Sequence, residues 1–267
     1  IRKQAAAADH LGLNESIKAT CFPTAATMAN SWNLELGKEM GECLSVEAKS
    51  QKVNILLGPG INIKRNPRCG RNFEYFSEDP YLAGKMASRY IQGIQKEGIS
   101  GCVKHFACNS QELRRMTVDS VIDERTLREI YLKPFRKAFV EGGALGCMTT
   151  YTGVGGEHSE TTIGLLTGVL RKEWDFKGAI TTDYIGYQPY CDSLIRCGGN
   201  LGMGCKLGTI DGVSYSTSSS NRIQNRLKEA AHQTIYMWLR AEYNEREYLK
   251  NPDAGDNYIA SFSTVSY

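Results

Sequence analysis

Four short apolar runs end in residues that can do chemistry. SGCVKHFAC (100–108) delivers Lys104 and His105, ALGCMTTYT (144–152) delivers Tyr151 after Met148, and GAITTDYIG (178–186) delivers Asp183 followed by Tyr184; the fourth, KVNILLGPG (52–60), leads into a charged segment. Lys and His together suit recognition of a ligand rich in hydroxyl acceptors, as donors fixed around it. The plain structural reading of the pair is a salt bridge or a satisfied core pair, and a Schiff-base lysine is the rival chemistry. Adjacent strand residues point to opposite faces, so Lys104 and His105 share one pocket only where the strand ends or bulges. For Asp183 a helix cap or a turn is as good an explanation as a catalytic one. With Lys, His and Arg nearby, its charged form is favoured, and that form fits a nucleophile better than an acid.

The densest group is GRNFEYFSEDP (70–80), which sets Arg71, Glu74, Glu78 and Asp79 among three aromatic residues. A solvated charged loop is the default, but interleaved aromatics argue for a packed, shaped segment. Arg71 would then be a fork-like donor to hydroxyls or a carboxylate. GPG at 58–60 lacks the spacing of a phosphate-binding loop. His10, His158 and His232 stand alone without metal-ligand spacing, and no cofactor or metal site is expected.

The apolar runs suit strands buried on both faces, as in a parallel sheet. Helical patterns separate them. DPYLAGKMASRYIQGIQKEG opens on Asp-Pro and stops at Gly98; DERTLREIYLKPFRKAFVEGG opens on Asp123 and ends on two glycines, with Pro134 expected to kink it. TTIGLLTGVLRKEWDFKG carries Leu165, Leu166, Val169 and Leu170 on one face, and NLELGKEMGECLSVEAKSQ and NRIQNRLKEAAHQTIYMWLRAEYNE are further helices. Strand–helix–strand units at intervals of about 35 to 50 residues, with no sign of antiparallel hairpins, predict an α/β fold, a TIM-like (β/α)8 barrel. IRCGGNLGMG is a candidate late strand and YSTSSSN a polar linker. Such a barrel takes about 250 residues, so room for six or seven units predicts one incomplete at its N-terminus. A barrel domain over 1–242 and an arm over 243–267 are expected.

The 267 residues, 41% hydrophobic and 23% charged, are enough for one large core. Lys and Arg (32) nearly balance Asp and Glu (29), giving a net charge of +3 and no basic stripe for nucleic acid. No apolar run reaches the length of a membrane span. Nine scattered cysteines without a CxxC pair fit free thiols in a reducing cytoplasm better than a disulfide framework.

The strings LGPGINIKRNPRCGRNFEYFSEDPYLAGKMA, GCVKHFACNSQELRRMTVDSVIDERTLREIYLKPF, CMTTYTGVGGEHSE and ITTDY closely resemble the N-terminal barrel domain of family 3 glycoside hydrolases, in their β-glucosidase and β-xylosidase branch. The resemblance runs from about residue 9 to 205. It implies a retaining mechanism with Asp183 as nucleophile on a β-glucoside or oligosaccharide. It also implies that Arg71, Lys104 and His105 hold hydroxyls of the nonreducing-end sugar, with Met148 and Tyr151 lining the pocket. Tyr184 stands where the family usually has Trp, which alters the aromatic wall, and Thr152 stands where it often has Asn. KHFACNSQE lacks the Gly-rich, His-bearing loop of the N-acetylglucosaminidase branch.

Two parts of the family site are not found in the chain. An Asp of an Asp-Gly-Pro motif would precede IRKQ, and the acid/base Glu belongs to an α/β sandwich domain or a partner chain. The chain alone is therefore expected to be nearly inert, and bacterial and cytoplasmic. A noncatalytic carbohydrate-binding or scaffold barrel derived from such an enzyme is the alternative.

Overall fold

The computed structural model describes residues 19–184, 190–203 and 221–248. The expectations for His10, for most of YSTSSSN and for residues 249–267 lie outside them. The chain enters through α1 (Ala25–Asn30) and α2 (Leu34–Ser50), the second capped by Asn33, whose Oδ1 accepts from the amides of Glu35 and Leu36 at 3.1 Å. Next come β1 (Ile55–Leu56), α3 (Pro80–Gln95), β2 (Ser100–Phe106) and β3 (Asp119–Ser120). Asp79 caps α3 by accepting from Leu82 N at 2.7 Å, ahead of a proline at the first helical position, where its missing N–H costs nothing.

The helix predicted from Asp123 forms, and Asp123 does cap it, but it is not uniform. α4 (Glu124–Thr126) widens into a π-helix (Leu127–Tyr131) before α5 (Lys133–Arg136) and a second π-helix (Lys137–Glu141). Pro134 has no N–H to donate to Ile130 O, and the Leu132 amide reaches back five residues to Leu127 O. The kink expected at Pro134 takes the form of these wider turns. β4 (Gly146–Thr149), β5 (Gly153–Val154) and β6 (Glu157–His158) follow, then a π-helix (Gly164–Glu173), β7 (Ala179–Thr181), α6 (Tyr190–Cys197) and α7 (Asn221–Tyr248). α7 runs through the 242/243 boundary.

Strands β1, β2, β4 and β7 lie in that order, all parallel, with every residue of β2, β4 and β7 buried. Among the described residues this arc does not close into a ring. The late strand expected in IRCGGNLGMG is reduced to one parallel bridge, Thr181 with Leu201, because residues up to Cys197 are helical. The absence of hairpins was a misreading: β5 and β6 pair antiparallel across Gly155 and Gly156, both at positive φ (64° and 87°), which a two-residue hairpin turn requires.

The core lies between the arc and its helices, where Phe106, Phe135, Met86, Ile91, Leu166, Leu170 and Ile180 are wholly buried. α2 and α3 touch backbone to backbone: a Cβ on Gly41 would sit 2.3 Å from Tyr90 O, and one on Gly93 2.1 Å from Lys38 O. Behind β7, Arg171 donates to the carbonyls of Phe176, Gly178 and Gly198 and to Asn200 Oδ1. Asn200 in turn accepts from Ile180 N at 2.7 Å and donates to Ala230 O in α7. Burial lowers the Arg171 guanidinium to about 10. This hub fixes the strand that carries Asp183.

Cys21, Cys43, Cys69, Cys102, Cys108, Cys147 and Cys197 form no disulfide. Among the described residues no helix is long and apolar enough to cross a membrane.

Candidate active site

Because the arc is parallel, its strands end on one edge, and the residues singled out from the sequence meet there. Lys104 and His105 sit at the end of β2, Tyr151 two residues beyond β4 and Asp183 two beyond β7. The alternation of β2 is broken near its end, where its register with β4 shifts between Val103 and Phe106. Both side chains are buried, and both face charged partners of the same site. His105 Nε2 lies 3.6 Å from Asp183 Oδ2. The His105 backbone is pinned by the buried Asn62, which accepts from His105 N at 2.8 Å and donates to His105 O at 2.9 Å.

GRNFEYFSEDP is packed at two of its three aromatics: Tyr75 and Phe76 are buried, while Phe73, Glu78 and Asp79 are exposed and Asp79 serves α3. Arg71 is 6% exposed, and its Nε donates to Glu74 Oε1. Lys104 Nζ lies 3.4 Å from Glu74 Oε2. Glu74 thus joins the two cations, one to each carboxylate oxygen. The sequence shows Glu74 in a charged cluster but gives no sign that its partner is thirty positions away.

Three further residues belong to the site and escaped the sequence reading. Arg115 sits over the Tyr151 ring, Cζ 4.8 Å from its centroid, and donates to Glu112 Oε2 at 2.8 Å. Glu112 Oε1 accepts from Asn109. Glu160, at the exit of the β5–β6 hairpin, is 3% exposed, and its Oε1 is buried without a hydrogen-bond partner. Burial, reinforced by the charge of Asp183, pushes its carboxyl up to about 7. The signal that could have found it is Gly155–Gly156, a hairpin turn that folds GEHSE back onto the strand end. Ser159 Oγ clamps that return by donating to the carbonyls of Thr150 and Thr152, and His158 Nδ1 donates to Tyr151 O at 3.2 Å.

Met148 is buried in β4, and Tyr151 is 8% exposed with its hydroxyl donating to Tyr184 O. Burial and then Asp183 raise the Tyr151 phenol, which stays protonated. Burial, then the Arg71 and Lys104 charges, push His105 well below its ordinary value, so the ring is neutral. Asp183 keeps 16% of its side chain exposed and accepts from Tyr184 N at 2.7 Å. Tyr184 is 62% exposed, and its carbonyl accepts from the Tyr151 hydroxyl. The arrangement sets one partly accessible carboxylate beside a neutral imidazole and two cations joined through Glu74. No group of His, Cys, Asp and Glu among the described residues is placed to hold a metal ion.

Residues 5–194 match the glycosyl hydrolase family 3 N-terminal domain. The chain is 40% identical over 259 residues to thermostable beta-glucosidase B of Acetivibrio thermocellus, covering 94% of this chain and 34% of that protein. It is 46% identical over 180 residues to an exo-alpha-(1->6)-L-arabinopyranosidase of Bifidobacterium breve, covering 67% of this chain and 24% of that protein. In fold it matches a crystal structure of a Bifidobacterium adolescentis GH3 beta-glucosidase with a TM-score of 0.80 at 37% identity, over 94% of this chain and 38% of the other. The parallel arc is thus part of a TIM-like barrel, and the chain spans 21% to 38% of the length of the β-glucosidases it matches.

Proposed function

The chain belongs to glycosyl hydrolase family 3, and from that premise we propose that it supplies the nucleophile and the sugar pocket of a retaining β-glucosidase. The observation that carries the reading is the meeting of Asp183, His105 and the Arg71–Glu74–Lys104 ion-pair group on one edge of the arc.

In this reading Asp183 attacks the anomeric carbon of a terminal nonreducing glucosyl residue. The bond to the aglycone oxygen breaks as the ester to Asp183 forms, and that oxygen leaves with a proton from a second carboxyl group. Water, deprotonated by the same group, then cleaves the ester. Arg71, Lys104 and His105 donate to sugar hydroxyls throughout, fixing the ring for in-line attack. The second carboxyl stands about 5 to 5.5 Å from the first in retaining enzymes, and it comes from a domain or partner chain outside this one. A cytoplasmic location accords with the unpaired cysteines.

A second reading of the acid is favoured by Glu160, a buried carboxyl held near pH 7 beside Asp183, the pairing of unlike carboxyls that acid and nucleophile need. The two readings separate on leaving group. If Glu160 were the acid, Glu160→Gln would slow poor leaving groups and spare 2,4-dinitrophenol; if the acid lies elsewhere, both respond alike.

The test of the main reading is a 2,4-dinitrophenyl 2-deoxy-2-fluoro-β-glucoside, whose leaving group needs little acid assistance. Mass spectrometry should find one glycosyl group on the peptide carrying Asp183. Sugar binding without any adduct would instead establish a noncatalytic carbohydrate-binding barrel. The corresponding α-L-arabinopyranoside, run beside it, decides between the substrates named for the relatives.

A further inference from the structure

Beneath the neutral His105 lies a chain of hydrogen bonds whose direction is fixed from its far end. Arg115 Nη1 donates to Glu112 Oε2 at 2.8 Å in an ion pair in which Glu112 is the acceptor. The Asn109 side-chain atom 3.1 Å from Glu112 Oε1 must therefore be the amide nitrogen rather than the oxygen. That same nitrogen lies 2.9 Å from Tyr75 Oη and donates to it. A phenol has one hydrogen, and burial keeps it on Tyr75. With its oxygen already accepting from Asn109, the hydroxyl directs that hydrogen to His105 Nδ1, 3.0 Å away. Nδ1 is thus an acceptor, and the proton of the neutral ring resides on Nε2, which faces Asp183.

We propose that Tyr75 and Asn109, anchored by Glu112, are positioning residues that force His105 to present an Nε2–H donor toward Asp183 and the sugar, never a bare nitrogen. Several features hold this chain rigid. Tyr75, His105 and Asn109 are each 1% exposed or less. Asn62 fixes the His105 backbone. Gly60 admits the phenol ring so closely that a Cβ there would sit 2.9 Å from Tyr75 Cδ1 and Cε1. The separation of 3.6 Å between Nε2 and Asp183 Oδ2 exceeds a hydrogen bond, so the donor is aimed without being satisfied by the carboxylate. It is free to bond a substrate hydroxyl oxygen, while a bare Nε2 would turn a lone pair toward the Asp183 carboxylate.

Nothing in this placement of the proton depends on turnover, although its catalytic use rests on the proposed function. The test is long-range proton–nitrogen NMR of the imidazoles in the whole chain, with the His105 signals assigned by their loss in His105→Gln. Wild type should show a bare Nδ1 and a protonated Nε2; a protonated Nδ1 overturns the proposal without any variant. Tyr75→Phe keeps the ring volume and removes the donor, and should yield a mixed or reversed tautomer. A Tyr75→Phe protein that keeps the pure Nε2–H form also overturns it. Glycosylation of Asp183 by the fluoroglucoside should slow about tenfold in Tyr75→Phe, the scale of one misdirected hydrogen bond to a charged or reacting group. If wild type takes no label, the proposed function fails while the tautomer result stands on its own.

Discussion

On the β1–β2 side of the pocket, Arg71, Lys104 and His105 are buried and Glu74 is nearly so, and they are tied to one another, to Asn62 and to Tyr75. On the β4–β7 side, Asp183 is partly open, Tyr184 is exposed, and Glu160 carries a buried oxygen with no hydrogen-bond partner. One side is closed and internally bonded; the other leaves one carboxyl partly open and a second buried. The contrast teaches how a pocket divides labour. Recognition of hydroxyls gains from groups that do not move or titrate, whereas attack at carbon needs a carboxylate accessible to the substrate.

The difference can be broken most severely at Asp183. Asp183→Asn should lower the rate of labelling by the fluoroglucoside by roughly 10³-fold or more while leaving the fold intact; an unchanged rate would move the nucleophile elsewhere. Next in size is Glu74→Ala, which leaves Arg71 and Lys104 as buried cations with their shared carboxylate removed. Urea unfolding should show a loss of about 3–5 kcal/mol, as for other buried pairs stripped of one partner, with Glu74→Gln losing less.

Glu160 gives the third effect, and its sign follows from its raised carboxyl. The folded chain holds a proton near pH 7 that the unfolded chain releases near 4.5. Its contribution is therefore neutral below about 4.5, becomes unfavourable as pH rises toward 7, and is a full penalty above that, on the order of 3 kcal/mol. Glu160→Gln should remove this term, so thermal unfolding of variant and wild type should diverge between pH 5 and pH 8, with the variant gaining. Parallel curves would show that Glu160 is ionised in the fold. The smallest effect is the control on the outer shell: Arg128 pairs with Glu173 at 2.7 Å on the surface. A double-mutant cycle there should yield only about 0.2–1 kcal/mol.

The sequence carried the elements well where local chemistry decides them. Asp79, Asp123 and Asn33 cap the helices that follow, and the apolar runs at 100–108, 144–152 and 178–186 each contain a buried strand. Residues at strand ends were legible as a site because parallel strands must all end on one edge. What stayed hidden depends on distance along the chain. Tyr75 looks like a core aromatic until His105, thirty residues later, meets its hydroxyl. Glu160 looks like one more solvated acid in EHSE until the hairpin and Ser159 bury it. The contact of the Tyr184 carbonyl with the Tyr151 hydroxyl was likewise hidden, since thirty-three residues separate the two.

The contact of Gly41 with Gly93 bears on how such a chain can drift. α3 leads directly into β2, so the closeness of α2 to α3 helps set where Lys104 and His105 are delivered. Two positions that carry no side chain, far from any substrate, thereby hold the pocket's alignment. A lineage can exchange many pocket-lining groups for new specificities and stay folded, but the smallest methyl added at either glycine meets a carbonyl oxygen with nowhere to go. A tight limit on change lies in a place with no chemistry at all.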